Sequence, residues 1–81
     1  MSSMSHDWIL NWFAERNPDK ISTISLNVEY YKDGLVDSFG IIELISDIEN
    51  HFLIQFLDED FRSKDFKTIG GLIGLTDGKL A

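Results

Sequence analysis

The chain has 81 residues, 43% of them hydrophobic, and no cysteine, which predicts one small domain over residues 1–81 without disulfides or cysteine-ligated metal. Its net charge of −7 argues against nucleic acid as a partner, because phosphates require a basic surface. Residues 1–11 lack a basic segment followed by a long apolar one, and no apolar run is long enough to span a membrane. We therefore expect a soluble, cytoplasmic protein.

The negative charge is concentrated in one part of the chain. Residues 33–60 contain eight acidic and no basic residues, whereas the rest of the chain has six acidic and seven basic residues. An acidic segment of this kind suits docking to a basic protein. It equally suits a solvated face that keeps the protein in solution, so the charge pattern alone leaves both interpretations open.

The first predicted element is a helix over residues 5–16. Its apolar residues recur at helical spacing and form one broad face, namely Trp8, Ile9, Trp12 and Phe13. Ser5 is placed to cap the helix, and Asn17 before Pro18 ends it. We interpret the two tryptophans as core residues rather than as a stacking site for a ligand.

Residues 19–37 form a long connection between the first two helices. Polar and apolar residues alternate from Ile24 to Tyr30, which imitates a strand. No second convincing strand exists to pair with it, so we predict a loop that its apolar residues pin to the helices. Asp33 and Gly34 indicate a turn.

The strongest predicted helix covers residues 38–52, with Asp37 or Ser38 as its cap. A helical wheel at about 100° per residue places the apolar residues on one side: Ile41, Leu44, Ile45, Ile48 and Phe52. The opposite side carries Glu43 and Asp47, and Phe39 falls on this polar side. Phe39 either folds back onto Leu35 or Val36, or it is an exposed apolar anchor for a partner.

Two further helices complete an all-α fold. A short helical turn is expected around residues 58–60, and a last helix from about Thr68 to about Leu75. Gly70 and Gly74 have the GxxxG spacing, which we interpret as a site of close helix packing. The expected architecture is a small four-helix bundle of three longer helices and one short helix, with a long loop between helices 1 and 2.

Ser38 is the candidate functional residue, although most serines at helix starts act only as caps. A helix N-terminus stabilises an attached phosphate through its free N–H groups and its dipole. A hydrolytic nucleophile would need a base within hydrogen-bond reach. His51 lies about 20 Å further along the same predicted helix, nothing places His6 near Ser38, and no G-x-S-x-G motif is present. Without such a base or motif we do not predict an enzyme. The acids at 58–60 lack an EF-hand pattern, so we do not predict a metal site either.

Ser38 belongs to a longer pattern, Gly34-Leu35-Val36-Asp37-Ser38-Phe39, which is followed by Ile41, Ile42, Glu43, Leu44, Ile48, Glu49 and Phe52. An apolar segment at 52–56, an acidic turn at 58–61 and the pair Thr68-Ile69 come after it. In these features the chain resembles the acyl carrier proteins, the phosphopantetheine-binding carrier family. The resemblance extends over about residues 35–75.

This resemblance implies that Ser38 carries 4′-phosphopantetheine through a phosphodiester, and that the thiol of this arm holds acyl or aminoacyl groups as thioesters. It implies docking of partner enzymes by Asp37, Phe39, Ile42, Glu43, Asp47 and Glu49. The partners would be a phosphopantetheinyl transferase, an acyl or aminoacyl ligase or transferase, and a downstream condensing or acceptor enzyme.

The chain departs from the usual fatty-acid carrier pattern at Phe39-Gly40 and in its glycine-rich last helix. These departures point to a specialised, stand-alone carrier similar to D-alanyl or other aminoacyl carriers. We expect this carrier to be a monomer. The alternative function is an unmodified acidic helical adaptor that docks a basic protein.

Overall fold

The computed structural model describes residues 4–80. It has four α-helices: His6–Arg16 (α1), Ser38–Phe52 (α2), Asp58–Arg62 (α3) and Ile69–Leu80 (α4). Residues 1–3 and 81, which the predicted domain also includes, lie outside the described range. No β-strand occurs within it, so the predicted all-α bundle of three longer helices and one short helix is confirmed. No helix between residues 4 and 80 is long and apolar enough to cross a bilayer.

The core forms where one apolar face of each long helix meets the others. Three pairs of fully buried side chains come from α1, α2 and α4, respectively: Ile9 and Phe13, Leu44 and Ile48, Ile69 and Leu72. The connection between α1 and α2 adds Tyr30, whose ring lies 5.4 Å from that of Phe13 and 6.4 Å from that of Phe66. The helical spacing in the sequence therefore predicted the buried faces of α1 and α2.

The long connection, residues 17–37, is held against the start of α4 by backbone hydrogen bonds. The carbonyl of Val28 accepts the N–H of Ile69 at 3.1 Å, and that of Leu26 accepts the N–H of Gly70 at 2.8 Å. A single antiparallel bridge joins Glu29 to Thr68. The segment with strand-like alternation thus pairs with residues 68–70 over only a few residues. The predicted loop is confirmed. A 3₁₀ helix at Pro18–Thr23 was not predicted.

Two adjacent glycines at the start of α4 allow other backbone segments to approach closely. A Cβ on Gly70 would lie 2.9 Å from the carbonyl oxygen of Leu26, and one on Gly71 would lie 2.0 Å from that of Asp65. Gly74 faces open space among the described residues. Close helix packing through Gly70 and Gly74 was therefore a wrong interpretation, because the glycines admit a loop and the 3₁₀ helix Lys64–Lys67 instead.

The last helix is longer than predicted and ends at Leu80 rather than near Leu75. Thr76 is fully buried, and its hydroxyl donates to the carbonyl of Leu72 at 2.9 Å. Asp77 accepts the hydroxyl hydrogen bond of Ser5 at 2.7 Å, so Ser5 ties the ends of α1 and α4 together. These contacts stabilise a segment whose Thr-Asp-Gly sequence favours a turn.

Candidate functional site

Ser38 is the first residue of α2, and Asp37 is its N-cap. The Asp37 carboxylate accepts the N–H of Gly40 at 2.7 Å, and its carbonyl accepts the N–H of Ile41 at 3.0 Å. Ser38 itself is exposed. Because Asp37 provides the cap, the Ser38 hydroxyl is not required for it.

The backbone that leads to Ser38 is fixed to the core. Gly34 turns the chain at a φ of 80°, and the carbonyl of Tyr30 then accepts the N–H groups of Leu35 at 2.9 Å and Val36 at 3.2 Å. The side-chain amide of Asn17 donates to the carbonyl of Leu35 at 3.0 Å. The position of Ser38 therefore depends on contacts with α1 and with the buried Tyr30.

Tyr30 joins this loop to the segment before α4. Its hydroxyl donates to the carbonyl of Phe66, and only 2% of the residue is exposed. Burial raises the pKa of the Tyr30 phenol above its usual value near 10, because a phenolate would lose its hydration there. Tyr30 thus remains neutral and structural at physiological pH.

Two apolar side chains project from the first turns of α2. Phe39 is 82% exposed and Ile42 is 65% exposed, and their spacing of three residues puts them on neighbouring positions of one helix face. Phe39 therefore does not fold back onto Leu35 or Val36. The pair forms an exposed apolar surface beside Ser38, and an anchoring role in docking stays a prediction.

The two carboxylates further along this face contact α1. Arg16 donates to Glu43 through Nε at 2.9 Å and through Nη2, which also lies 3.6 Å from Asp47 Oδ2. The indole N–H of Trp12 donates to the same Asp47 oxygen at 2.8 Å. Both acidic side chains remain partly exposed, at 55% for Glu43 and 40% for Asp47. Sequence reasoning missed Arg16 and Trp12, because their contacts depend on how α1 packs against α2.

Glu49 lies at the other end of α2 and holds the turn that follows it. Its carboxylate accepts the N–H of Phe56 at 2.9 Å, and its carbonyl accepts the N–H of Ile54 at 3.3 Å. The six predicted docking residues thus fall into three pairs. Asp37 and Glu49 have structural roles, and Glu43 and Asp47 pair with α1. Phe39 and Ile42 are exposed apolar side chains. Docking by any of them stays a prediction.

An apolar cavity of about 330 Å³ lies beside the start of α2 and was not predicted from the sequence. It is lined by residues 29–32 of the connection, by Ile41 and by Phe66 and Lys67. Ile41 is three residues after Ser38. The cavity is formed by residues distant in sequence, so no local pattern could have indicated it.

The structure places His51, the histidine considered as a base for a nucleophilic Ser38, far from that serine. His51 occupies the last turn of α2, about 20 Å along the helix axis, and its ring stacks on that of Trp8 with 4.7 Å between the centroids. Asp58, Glu59 and Asp60 form the start of α3. Among residues 4–80 no group of three or more His, Cys, Asp or Glu side chains is arranged to hold a metal ion.

Comparison with known proteins adds one similarity. A protein named D-alanyl carrier protein, from Bacillus subtilis (strain 168), is 41% identical to this chain over 44 residues, which is 54% of the chain and 56% of that protein. The chain therefore spans about half the length of the curated relative that it matches. No family model matches the chain, and no solved structure matches it. The similarity supports the resemblance to carrier proteins that the motif around Ser38 indicates.

Proposed function

We propose that the chain is a stand-alone carrier protein in which Ser38 bears 4′-phosphopantetheine. The thiol of this arm holds acyl or aminoacyl groups as thioesters and presents them to partner enzymes. The observation that carries the proposal is an exposed serine at the first position of α2, directly after an aspartate that supplies the cap. The proposal includes a monomeric protein that acts in the cytoplasm.

The start of α2 is electrostatically suited to a phosphodiester. The first N–H groups of an α-helix have no acceptor within the helix, and Asp37 occupies that of Gly40. The amides of Ser38 and Phe39 are then available to phosphate oxygens. The Asp37 carboxylate is one anion at this end, and no acidic residue lies in the first turn of α2 itself. The remaining free N–H groups and the helix dipole favour a further anion there.

Partner docking is proposed for the face of α2 next to Ser38. Phe39 and Ile42 supply apolar contact area, and Glu43 and Asp47 supply negative charge beside it. A basic enzyme surface with an apolar pocket complements this arrangement. Asp37 and Glu49 add to the negative potential while they hold the two ends of the helix.

The chemistry of the arm and the relative's name suggest which cargo to test first. The chain has no cysteine, so the reactive thiol comes from the attached group, and partner enzymes load and remove the cargo. Because the relative is named a D-alanyl carrier protein, D-alanine is the first cargo to test, with short and long acyl groups as comparisons.

Intact-mass measurement tests the modification. We expect incubation with coenzyme A and a phosphopantetheinyl transferase to add one phosphopantetheine to the wild type, and none to Ser38→Ala. Ser46→Ala is the matched control, since Ser46 is an exposed serine in the middle of the same helix, and it should be modified like the wild type. Failure of several transferases to modify the wild type would overturn the proposal.

The same variants distinguish a carrier from an unmodified adaptor. The adaptor function predicts that Ser38→Ala binds its basic partner as the wild type does, while charge reversal at Glu43 weakens binding. A carrier also loses binding on charge reversal at Glu43, but it additionally requires Ser38 for any transfer of cargo. Unchanged partner binding in Ser38→Ala, together with no transfer of cargo by the wild type, would favour the adaptor.

A further inference from the structure

Arg16 is the cation that faces the acidic side of α2. Residues 33–60 contain no Lys or Arg, and among residues 4–80 Arg16 is the only basic residue that forms an ion pair with a carboxylate of α2. It reaches this position from the last turn of α1. The negative face predicted from the sequence is thus partly neutralised by a residue distant in the chain.

Three contacts hold the Arg16 side chain in place. The guanidinium carbon lies 3.7 Å from the centroid of the Trp12 ring, a stacking distance for a cation over an aromatic face. The guanidinium contacts Glu43 through two nitrogens and lies near Asp47. Trp12 in turn donates to Asp47. Trp12 therefore orients both the cation and one of its carboxylates.

The arrangement remains reachable from solvent. The side chain of Arg16 is 35% exposed, and exposed ion pairs are weak because water and salt screen them. Glu43 follows the exposed Ile42 directly and is one helical turn from Phe39. A protein that covers the two apolar side chains would place its own cations beside Glu43 and Asp47.

We propose that Arg16 is an internal competitor for the docking carboxylates of α2. A basic partner must displace the guanidinium from Glu43 and Asp47 or share them with it, so Arg16 lowers the affinity for partners that rely on charge alone. Partners that also bury Phe39 and Ile42 compensate for this competition, and Arg16 thereby selects for them. This inference rests on the proposed docking of partner enzymes by α2.

The kinetics of phosphopantetheinylation test the competition. We expect Arg16→Gln to lower the KM for the carrier about two- to fivefold, the range that corresponds to one exposed ion pair, with kcat unchanged. Arg16→Lys keeps the charge but loses the planar fork, and it should give a smaller decrease. The difference from the wild type should shrink at high salt.

Arg62→Gln is the matched control, because it changes the net charge equally. Arg62 is exposed at the end of α3 and forms no ion pair with a carboxylate of residues 4–80. If Arg16→Gln lowered KM no more than Arg62→Gln does, the proposal would be wrong. An increase in KM would also overturn it, since Arg16 would then position the carboxylates for the partner.

A second measurement separates failure of this inference from failure of the carrier function. A short arginine peptide can be titrated into the apoprotein while NMR follows the amide shifts of Glu43 and Asp47. We expect tighter binding at these residues in Arg16→Gln than in Arg62→Gln, whether or not Ser38 is ever modified. Equal binding by the two variants would overturn the competition even where mass spectrometry supports the carrier.

Discussion

Asp37 and Ser38 are adjacent residues, and only Asp37 caps α2. The Asp37 carboxylate satisfies the N–H of Gly40, whereas the Ser38 side chain is exposed and is the one that we propose is modified. We expect Asp37→Ala to lower the free energy of unfolding by about 1 kcal/mol, the usual effect of removing a side-chain cap. Asp37→Asn should retain most of it, because asparagine also caps.

Chemical denaturation of the apoprotein measures this difference, and Ser38→Ala serves as its control. A substitution of an exposed residue that does not cap should change stability by no more than about 0.5 kcal/mol. If Ser38→Ala were as destabilising as Asp37→Ala, the serine and not the aspartate would be the functional cap.

Leu53 ends α2 in a backbone conformation that suits glycine. Its φ is 57° and its ψ is 47°, and 88% of the residue is exposed. A side chain in the left-handed region costs roughly 1 kcal/mol, and glycine is the usual residue at such a helix end. Because Leu53 buries little, we expect Leu53→Gly to raise the melting temperature of the apoprotein.

Leu53→Ala isolates the backbone contribution to this effect. Alanine removes the same exposed atoms but keeps the Cβ that the left-handed conformation disfavours. It should therefore leave the melting temperature close to that of the wild type. Stabilisation by alanine equal to that by glycine would show that the exposed side chain, not the backbone, is unfavourable at this position.

At the scale of the element, α4 contains two glycines at which a substitution by alanine should have opposite effects on stability. A Cβ on Gly71 would meet the Asp65 carbonyl at 2.0 Å, whereas Gly74 faces open space. We expect Gly71→Ala to destabilise the protein by about 1–3 kcal/mol through forced backbone movement. Gly74→Ala should stabilise it by up to about 1 kcal/mol through helix propensity.

Urea denaturation of the two variants gives a direct comparison, because each adds one methyl group to the same helix. Circular dichroism should show native helix content in Gly74→Ala. If both substitutions stabilised the protein, the close approach between α4 and the Lys64–Lys67 segment would not exist in solution.

The elements differ in how far the sequence could predict them. The apolar period of residues 38–52 is local, so the bounds of α2 followed from it. The sequence left the cap open between Asp37 and Ser38, and the structure assigns it to Asp37. The extension of α4 to Leu80 depends on tertiary contacts, such as the ion pair of Lys79 with Asp60 at 2.7 Å. The contact between Arg16 and Glu43 likewise depends on helix packing, which no local pattern encodes.

At the scale of the whole molecule, Tyr30 connects segments that are distant in the chain. It packs against Phe13 of α1, bonds to Phe66 before α4, and accepts the amides that lead to Ser38. Rigidity at the start of α2 is therefore a property of the assembled bundle. A change that ionises or removes the Tyr30 phenol should weaken the whole fold rather than one helix.

The contribution of the buried Tyr30 phenol to stability can be tested by unfolding the protein at alkaline pH. Burial raises the pKa of Tyr30 in the folded protein above the value near 10 of the unfolded chain, so the folded state keeps a proton that the unfolded state loses. Stability from this group is fully present below pH 10 and declines as the pH rises towards the folded pKa.

Tyr30→Phe should be less stable at pH 8 by about 1 kcal/mol, because it loses one hydrogen bond. Its stability should nevertheless fall less steeply than that of the wild type between pH 10 and 11. Tyr31→Phe, which alters an exposed tyrosine, should keep the wild-type slope in urea unfolding over this range. Equal slopes for Tyr30→Phe and the wild type would mean that the Tyr30 phenol ionises as readily in the folded bundle as in water.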